Sequence, residues 1–343
     1  MDPVTHMLTG ACLSRAGLNR KTGLATLTLV LAAEAPDIDV IWYFGGSVAG
    51  LQHHRGITHS LFGAPFMAAL VVAAVYAIYR VLKRSGREPK LPPNWKLLYL
   101  YALMGSLVHL FQDFTNNYGV RPFAPFNSKW YSWDIVFIID PTMLVAMFLG
   151  LVLPGLFALV TEEIGSKKAG FRGRGGAIFA LVCLTAMILV RDFEHRRAVT
   201  ALNSRTYRDE EPLRASAFPH PINPFAWNGV VETRDFFLLQ PVDSTSGEVD
   251  PQNQAVVRFK LEETAATLAA KQSYLGRVYL DWAEYPLVTP ERLEGGRTQV
   301  QFEDLRFHTV RGMAQRRRPV LALYVVLDPQ MRIESQNGNP PAD

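Results

Sequence analysis

Cysteine is all but missing from this chain of 343 residues: there are two, Cys12 and Cys183, each in an apolar stretch and neither at a metal-binding or redox spacing. A disulfide framework is thereby excluded. Charge is sparse too, with 19% Asp, Glu, Lys and Arg, and the net excess of +4 is gathered in two places rather than spread as a stripe. That distribution argues against nucleic acid as a partner. The first residues lack the basic start and small-residue cleavage site of a secretory signal. Residues 4–18, too short to span a bilayer comfortably, are therefore read as part of the mature protein.

What the chain does have is long apolar runs, nearly all within the first 190 residues. Four are clear, 60–82, 97–116, 135–160 and 175–190, and a fifth, 23–44, is interrupted only by Glu34, Asp37 and Asp39. A helical span needs about 20 apolar residues, so the 175–190 run relies on Arg174 and Arg191 reaching the interface. The cations crowd two loops: Arg80, Lys83, Arg84, Arg87, Lys90 and Lys96 in one, and Lys167, Lys168, Arg172 and Arg174 in the other. An excess of Lys and Arg marks the cytoplasmic side, which puts both loops inside. Successive spans alternate, so 23–44 is expected to run outward and everything after Arg191 to lie outside.

Against this background the ionisable groups stand out, because such groups are expensive beside hydrocarbon. His53-His54-Arg55-Gly56-Ile57-Thr58-His59-Ser60 directly precedes the 60–82 run, and Asp37 and Asp39 follow Pro36, which is expected to kink or end the helix there. His109 and Asp113 are four apart and share one helix face. At about 1.5 Å per residue, Asp37 lies about 21 Å and His109 about 18 Å along their helices, level with His59 at an outer helix end. The reading is one metal site inside the outer half of a membrane. Carboxylates near lipid without a cation are costly, and neutral imidazoles suit zinc and related ions. On these grounds Asp37, Asp39, His59, His109 and Asp113 are expected ligands. His6 is open between a ligand and an exposed residue near the chain start.

Roles around the metal follow from side-chain chemistry. A carboxylate not used as a ligand, Asp37 or Asp39, would take the proton of an attacking water, and Arg55 would grip an anionic substrate group with its planar fork. His54 and His53 are read as outer ligands, proton shuttles or interface residues. Ser60 is read as a helix cap rather than a nucleophile. Glu34 and Asp140 are further ionisable groups that would support the site, Asp140 alternatively pairing with Arg121. Trp130-Tyr131-Ser132-Trp133 reads as an interfacial aromatic belt.

The ordered set of an N-terminal Thr-His, then Pro-Asp-Ile-Asp, His-Arg-Gly-Ile-Thr-His-Ser and His-x-x-x-Asp resembles the YdjM-like family of inner-membrane metal-dependent hydrolases over residues 1–190. The remainder, including Asn223-Pro224-Phe225-Ala226-Trp227, resembles the extra domain of the YfhP-like branch. The resemblance implies a hydrolase of the bacterial inner membrane with metal binding at His6, Asp37, Asp39, His59, His109 and Asp113. It implies no particular substrate. The order of ligands is also distantly similar to that of zinc-dependent phospholipase C, which favours phosphoesters.

The expected fold is thus an α-helical multi-span membrane domain of five to six helices over 1–191, followed by a small α+β extracytoplasmic domain. Residues 192–224 read as a helix and Pro-rich linker, and 225–333 as the α+β domain. The latter has strands at 230–239, 255–260, 299–308 and 320–327, helical composition at 262–284 and a largely antiparallel sheet. His195, His220 and His308 are scattered there and read as core or surface. The tail from 334 is expected to be disordered. The expected function is hydrolysis of a phosphoester or lipid-like substrate by zinc-activated water at the outer side of the membrane. A transporter with an intramembrane His/Asp path and a scaffold with a structural metal are the alternatives.

Overall fold

The apolar runs fold as helices with narrow buried faces. In α4 (Ala64–Arg84) the buried positions Ala64, Met67, Ala68, Val71 and Val75 recur every three to four residues and mark one stripe. The rest of the helix is also apolar, and Phe66, Leu70, Ile78 and Val81 are exposed. A helix apolar on all sides but covered on one needs a second apolar medium. With α5 (Trp95–Thr115) and α7 (Arg174–Asn203), it makes three helices among the described residues that are long and apolar enough to cross a membrane. The computed structural model describes residues 1–163, 173–309 and 320–337. The basic group Lys167, Lys168 and Arg172 lies outside them.

Two units share the chain: Met1–Ile38 with Arg55–Asp192, and Asp39–His54 with Phe193–Asp343. The first holds α1 (Pro3–Arg15), α2 (Ala25–Glu34), α4, α5 and α6 (Pro141–Glu163) with most of α7. Helix α1 starts cleanly because Asp2 accepts from the Thr5 amide at 3.0 Å and Pro3 fills a position whose N–H would be orphaned anyway. The run 23–44 does not form the single span expected for it. Helix α2 stops after ten residues and the chain continues as a 3-10 helix, Ala35–Gly45. Pro36 carries no N–H and its ring clashes with the preceding turn, so regular α-helix cannot pass through it.

Helix α2 packs closely between α1 and α5 through small residues. A Cβ on Gly10 of α1 would come within 2.7 Å of the Leu29 carbonyl oxygen, and one on Gly105 of α5 within 2.8 Å of the Ala32 Cβ. Close backbone approach of this kind replaces the hydrophobic drive that is absent between helices in lipid. At the other side of the unit, Asp140 caps α6 by accepting from the amides of Thr142 (3.0 Å) and Met143 (3.1 Å), and takes a 2.7 Å bond from Arg191 of α7. Both side chains are buried. The cation paired with Asp140 is therefore Arg191, where the sequence suggested Arg121.

The second unit is built on two antiparallel sheets. In one, β1 (Arg214–Pro219), β2 (Ala226–Glu232) and β3 (Phe236–Asp243) form a meander, and β4 (Glu248–Val249) and β5 (Val256–Phe259) both pair with β3. In the other, β6 (Pro286–Arg292), β7 (Thr298–Asp304), β8 (Leu323–Leu327) and β9 (Ile333–Asn337) follow in order. Between the sheets in sequence come α8 (Ala265–Gln272), begun by a Thr264/Thr267 capping box, and α9 (Tyr274–Trp282), capped by Ser273. Helix α3 (Ser47–His53) belongs to this unit, where the Gln52 side chain meets the Tyr274 hydroxyl of α9. The core is aromatic: Trp227, Phe218, Tyr279, Tyr285 and Phe302 are almost wholly buried. Strand β1 falls inside the stretch read as a Pro-rich linker. Strand β9 takes up residues 334–337 of the expected disordered tail, whose last residues, 338–343, lie outside those described.

Arg191→Ala leaves Asp140 charged and unpaired, and should lower stability by about 3–5 kcal/mol. Replacing both residues together, with Met and Leu, should recover most of that loss. Thermal unfolding of the detergent-solubilised variants checks both expectations.

Candidate metal centre

Three segments of the first unit converge on one buried point. From α5 come His109 and Asp113, one turn apart and both fully buried. The 3-10 helix after α2 brings Asp37, and the short 3-10 helix Ile57–His59 brings His59. The latter is locked into α4 by Ser60, whose hydroxyl donates to the Ile57 carbonyl at 2.8 Å and accepts from the Gly63 amide at 2.9 Å. Ser60, read from the sequence as the cap of α4, instead forms the turn before it, and Gly63 is the N-cap.

One ligand atom from each of Asp37, His59, His109 and Asp113 lies within 4.8 Å of all the others. His59 Nε2 is 3.0 Å from His109 Nε2, 3.1 Å from Asp37 Oδ1 and 3.4 Å from Asp113 Oδ2. His109 Nε2 is 3.7 Å from Asp37 Oδ1 and 3.5 Å from Asp113 Oδ2. A tetrahedral ion with bonds of about 2.0–2.1 Å requires ligand atoms about 3.3 Å apart. These five edges bracket that value.

The hydrogen bonds fit the same reading. His109 Nδ1 lies 2.6 Å from the Ala33 carbonyl and must donate its proton there, which leaves the lone pair of the neutral ring on Nε2, facing the cluster. Asp113 Oδ2 is buried and has no hydrogen-bond partner among the described residues. A buried carboxylate oxygen without a donor is costly unless a cation meets it. Two imidazole nitrogens and two carboxylate oxygens form a donor set suited to zinc and its neighbours. The cluster can hold a metal ion.

His6 sits beside these four. Its ring stacks on His109 with centroids 3.8 Å apart, and its Nε2 is 3.4 Å from Asp113 Oδ1. The Met1 amino group donates to the same His6 nitrogen at 3.1 Å and also pairs with Asp113. Behind His6 runs a relay that the sequence reading missed. His6 Nδ1 donates to Gln112 Oε1 (3.1 Å), Gln112 Nε2 to the Thr9 hydroxyl (2.9 Å), and that hydroxyl to the Thr5 carbonyl (2.8 Å). The available signal was a glutamine directly before Asp113 in an otherwise apolar helix.

Arg55 was expected to grip an anionic substrate group. In the structure its guanidinium meets protein groups instead: Asp113 Oδ1 at 2.9 Å, Asn116 Oδ1 at 3.1 Å and the Gly119 carbonyl at 3.0 Å, over the ring of Tyr118. Its backbone is left-handed, with φ 55°. Asn116 adds a bond to Asp113 Oδ1 at 3.3 Å, so that oxygen is held by Arg55, Asn116 and the Met1 amino group.

Asp39 and His54 belong to the second unit and pair there, His54 Nδ1 lying 2.8 Å from Asp39 Oδ1. His53 stacks on Trp42 in the same unit. Glu34 ends α2, three residues before Asp37, and its buried Oε1 has no hydrogen-bond partner among the described residues. Asp140 is occupied as a helix cap and with Arg191.

A helical unit with apolar spans and a buried His/Asp cluster defines a membrane protein with a candidate metal centre. The chain belongs to the YdjM inner membrane protein family, whose model matches residues 1–198. It is also similar to the uncharacterized protein YfhP of Bacillus subtilis (strain 168), with 27% identity over 154 residues. That match covers 43% of this chain and 44% of the relative, less than half of either. No solved structure matches the chain.

Gln112→Leu removes the acceptor that orients His6 while keeping an apolar, helix-forming side chain. Outer-sphere changes of this type weaken metal binding about 10–100-fold, and a chelator competition assay should show a loss in that range.

Proposed function

We propose that this protein is a membrane-embedded, metal-dependent hydrolase of phosphoester or lipid-like substrates. The observation that carries the reading is the unpartnered Asp113 Oδ2 facing the lone pair of His109 in a buried site of near-tetrahedral spacing. Asp37, His59, His109 and Asp113 would hold the ion, with His6 as a further candidate and zinc the ion the donor set favours. When bound, such an ion lowers the pKa of a water and polarises the scissile group.

The protein's own groups have separate tasks. Arg55 and Asn116 hold Asp113 at Oδ1 and leave Oδ2 toward the cluster. The Ala33 carbonyl fixes the His109 tautomer, and the Gln112 relay fixes His6. Asp37, with its side chain 20% exposed, is the side on which a substrate can enter. Glu34 Oε1, buried and without a hydrogen-bond partner among the described residues, is the group we assign to accept the proton of the attacking water. The four-ligand set of which three members are fully buried also resembles a closed structural site, so a scaffold held by its metal is the second reading.

For topology we infer an inner-membrane protein whose cluster faces away from the cytoplasm. His59 precedes α4, and the basic residues Arg80 to Lys96 lie around its other end, about 30 Å away for a helix of 21 residues. Positive residues on the cytoplasmic side then put the cluster outside, and the chain after α7 is outside as well on our reading that α6 makes a fourth crossing between α5 and α7.

The purified protein should carry near-stoichiometric zinc or another transition metal by elemental analysis, and the His59→Ala, Asp113→Ala double variant should carry none. Folded wild type that stays metal-free after metal is added would end the reading. Glu34→Gln should keep its metal and lose turnover of a phosphoester probe by about 10²-fold or more, the usual worth of a positioned base. Unfolding on metal removal, with no turnover of any phosphoester or lipid by wild type, would select the structural-metal reading.

A further inference from the structure

The segment after α5 folds back to the turn before α4, and it is built unlike a loop in water. Val120 and Tyr131 exchange both backbone hydrogen bonds, at 2.8 and 2.9 Å, and close residues 121–130 into a tip. Leu61, next to Ser60, donates to the Pro122 carbonyl at 2.9 Å and ties that tip to the segment carrying His59. Inside it, Ala124 bonds back to Arg121, and both Phe126 and Asn127 to Phe123. These turns pair part of the tip's backbone within itself, which lowers the cost of leaving water.

The side chains make the same case. Phe126 is 80% exposed and Phe123 48%, on a non-helical segment where exposed phenylalanine has no packing reason. Phe126 meets the edge of Phe62 with centroids 5.4 Å apart, and Phe62 in turn meets Phe66 in the first turn of α4 at 5.3 Å. The row is continuous with the exposed apolar flank of α4, where Phe66 and Leu70 stand free of the core. That flank is the surface a membrane span turns to lipid. Around the tip, Arg121 lies over Trp130 at 4.5 Å and Lys129 over Tyr131 at 5.5 Å. Tryptophan, tyrosine and cations together sit at headgroup level and attract anionic lipid, which leaves the two phenylalanines to point deeper.

We propose that residues 121–130 form a lipid-seated tip, with Phe123 and Phe126 inserted among the acyl chains of the leaflet beside α4. The occupant is bilayer lipid, and the inference stands whether or not the cluster is catalytic. Where it is, the seat places the segment carrying His59 at the level of lipid headgroups.

Spin labels report this directly. In the full-length protein with Cys12 and Cys183 changed to Ala, Phe126→Cys is labelled and reconstituted in vesicles of phosphatidylcholine and phosphatidylglycerol. Collision with oxygen, which concentrates in lipid, should exceed collision with a water-soluble nickel chelate several-fold, as at a label on Leu70 of α4. A label on Lys129 should show the reverse. A chelate-dominated label at 126 would overturn the proposal, and so would low access to both reagents, which would mean that protein covers the tip. Should Phe126→Cys fail to fold, a label at Phe123 carries the same reading with the same outcomes.

Discussion

Charge compensation in a buried place is the constraint on which the first unit depends. Asp113 is fully buried and is met on Oδ1 by Arg55 and Asn116, while Oδ2 faces two imidazoles. A carboxylate in such surroundings survives as an anion only with cations or donors around it. The fold answers by bringing helix ends, short 3-10 turns and one arginine to the same point. Everything nearby that is irregular, including the break after Glu34 and the turn before α4, serves to deliver a polar side chain to Asp113 or its neighbours.

Such delivery works only if the backbones come close. Gly10 and Gly105 let α1 and α5 approach α2 from both sides, and this is what brings His6 of α1 within stacking distance of His109 of α5. In the second unit aromatic side chains between antiparallel strands do the equivalent work by burial of area. The two units therefore rest on different physics, one on close contact of small residues and polar pairing, the other on hydrophobic area.

Much of this could be seen in the amino-acid order, and what escaped has physical reasons. Helices α4, α5 and α7 were visible because apolar length is a one-dimensional property, and His59, His109 and Asp113 were visible because ionisable groups are rare beside such runs. In the run 23–44 the break at Pro36 was legible, but hydropathy sums over residues and counted those beyond the break toward one span. Strand β1 hid in a Pro-rich stretch, and β9 hid in a polar tail because an edge strand needs few apolar residues. Arg55 was read as a fork for a substrate anion, whereas the carboxylate it meets is Asp113 of α5, 58 positions on, a pairing no local pattern records. Gln112 was overlooked because a lone amide carries no charge to mark it.

Position 55 also illustrates how narrow the choice of residue becomes when backbone and side chain make separate demands. The left-handed conformation there favours glycine or asparagine and disfavours almost everything else, by roughly 1–2 kcal/mol for an ordinary residue. The side chain, in contrast, serves three acceptors from two separate nitrogens of one plane, a spread that a planar guanidinium has and a single ammonium nitrogen lacks. Glycine would relax the chain and leave Asp113 with the Met1 amino group as its one cation among the described residues; lysine would keep the charge and lose the planar fork. A full substitution scan at this site should therefore be nearly empty, with no residue other than arginine meeting both demands.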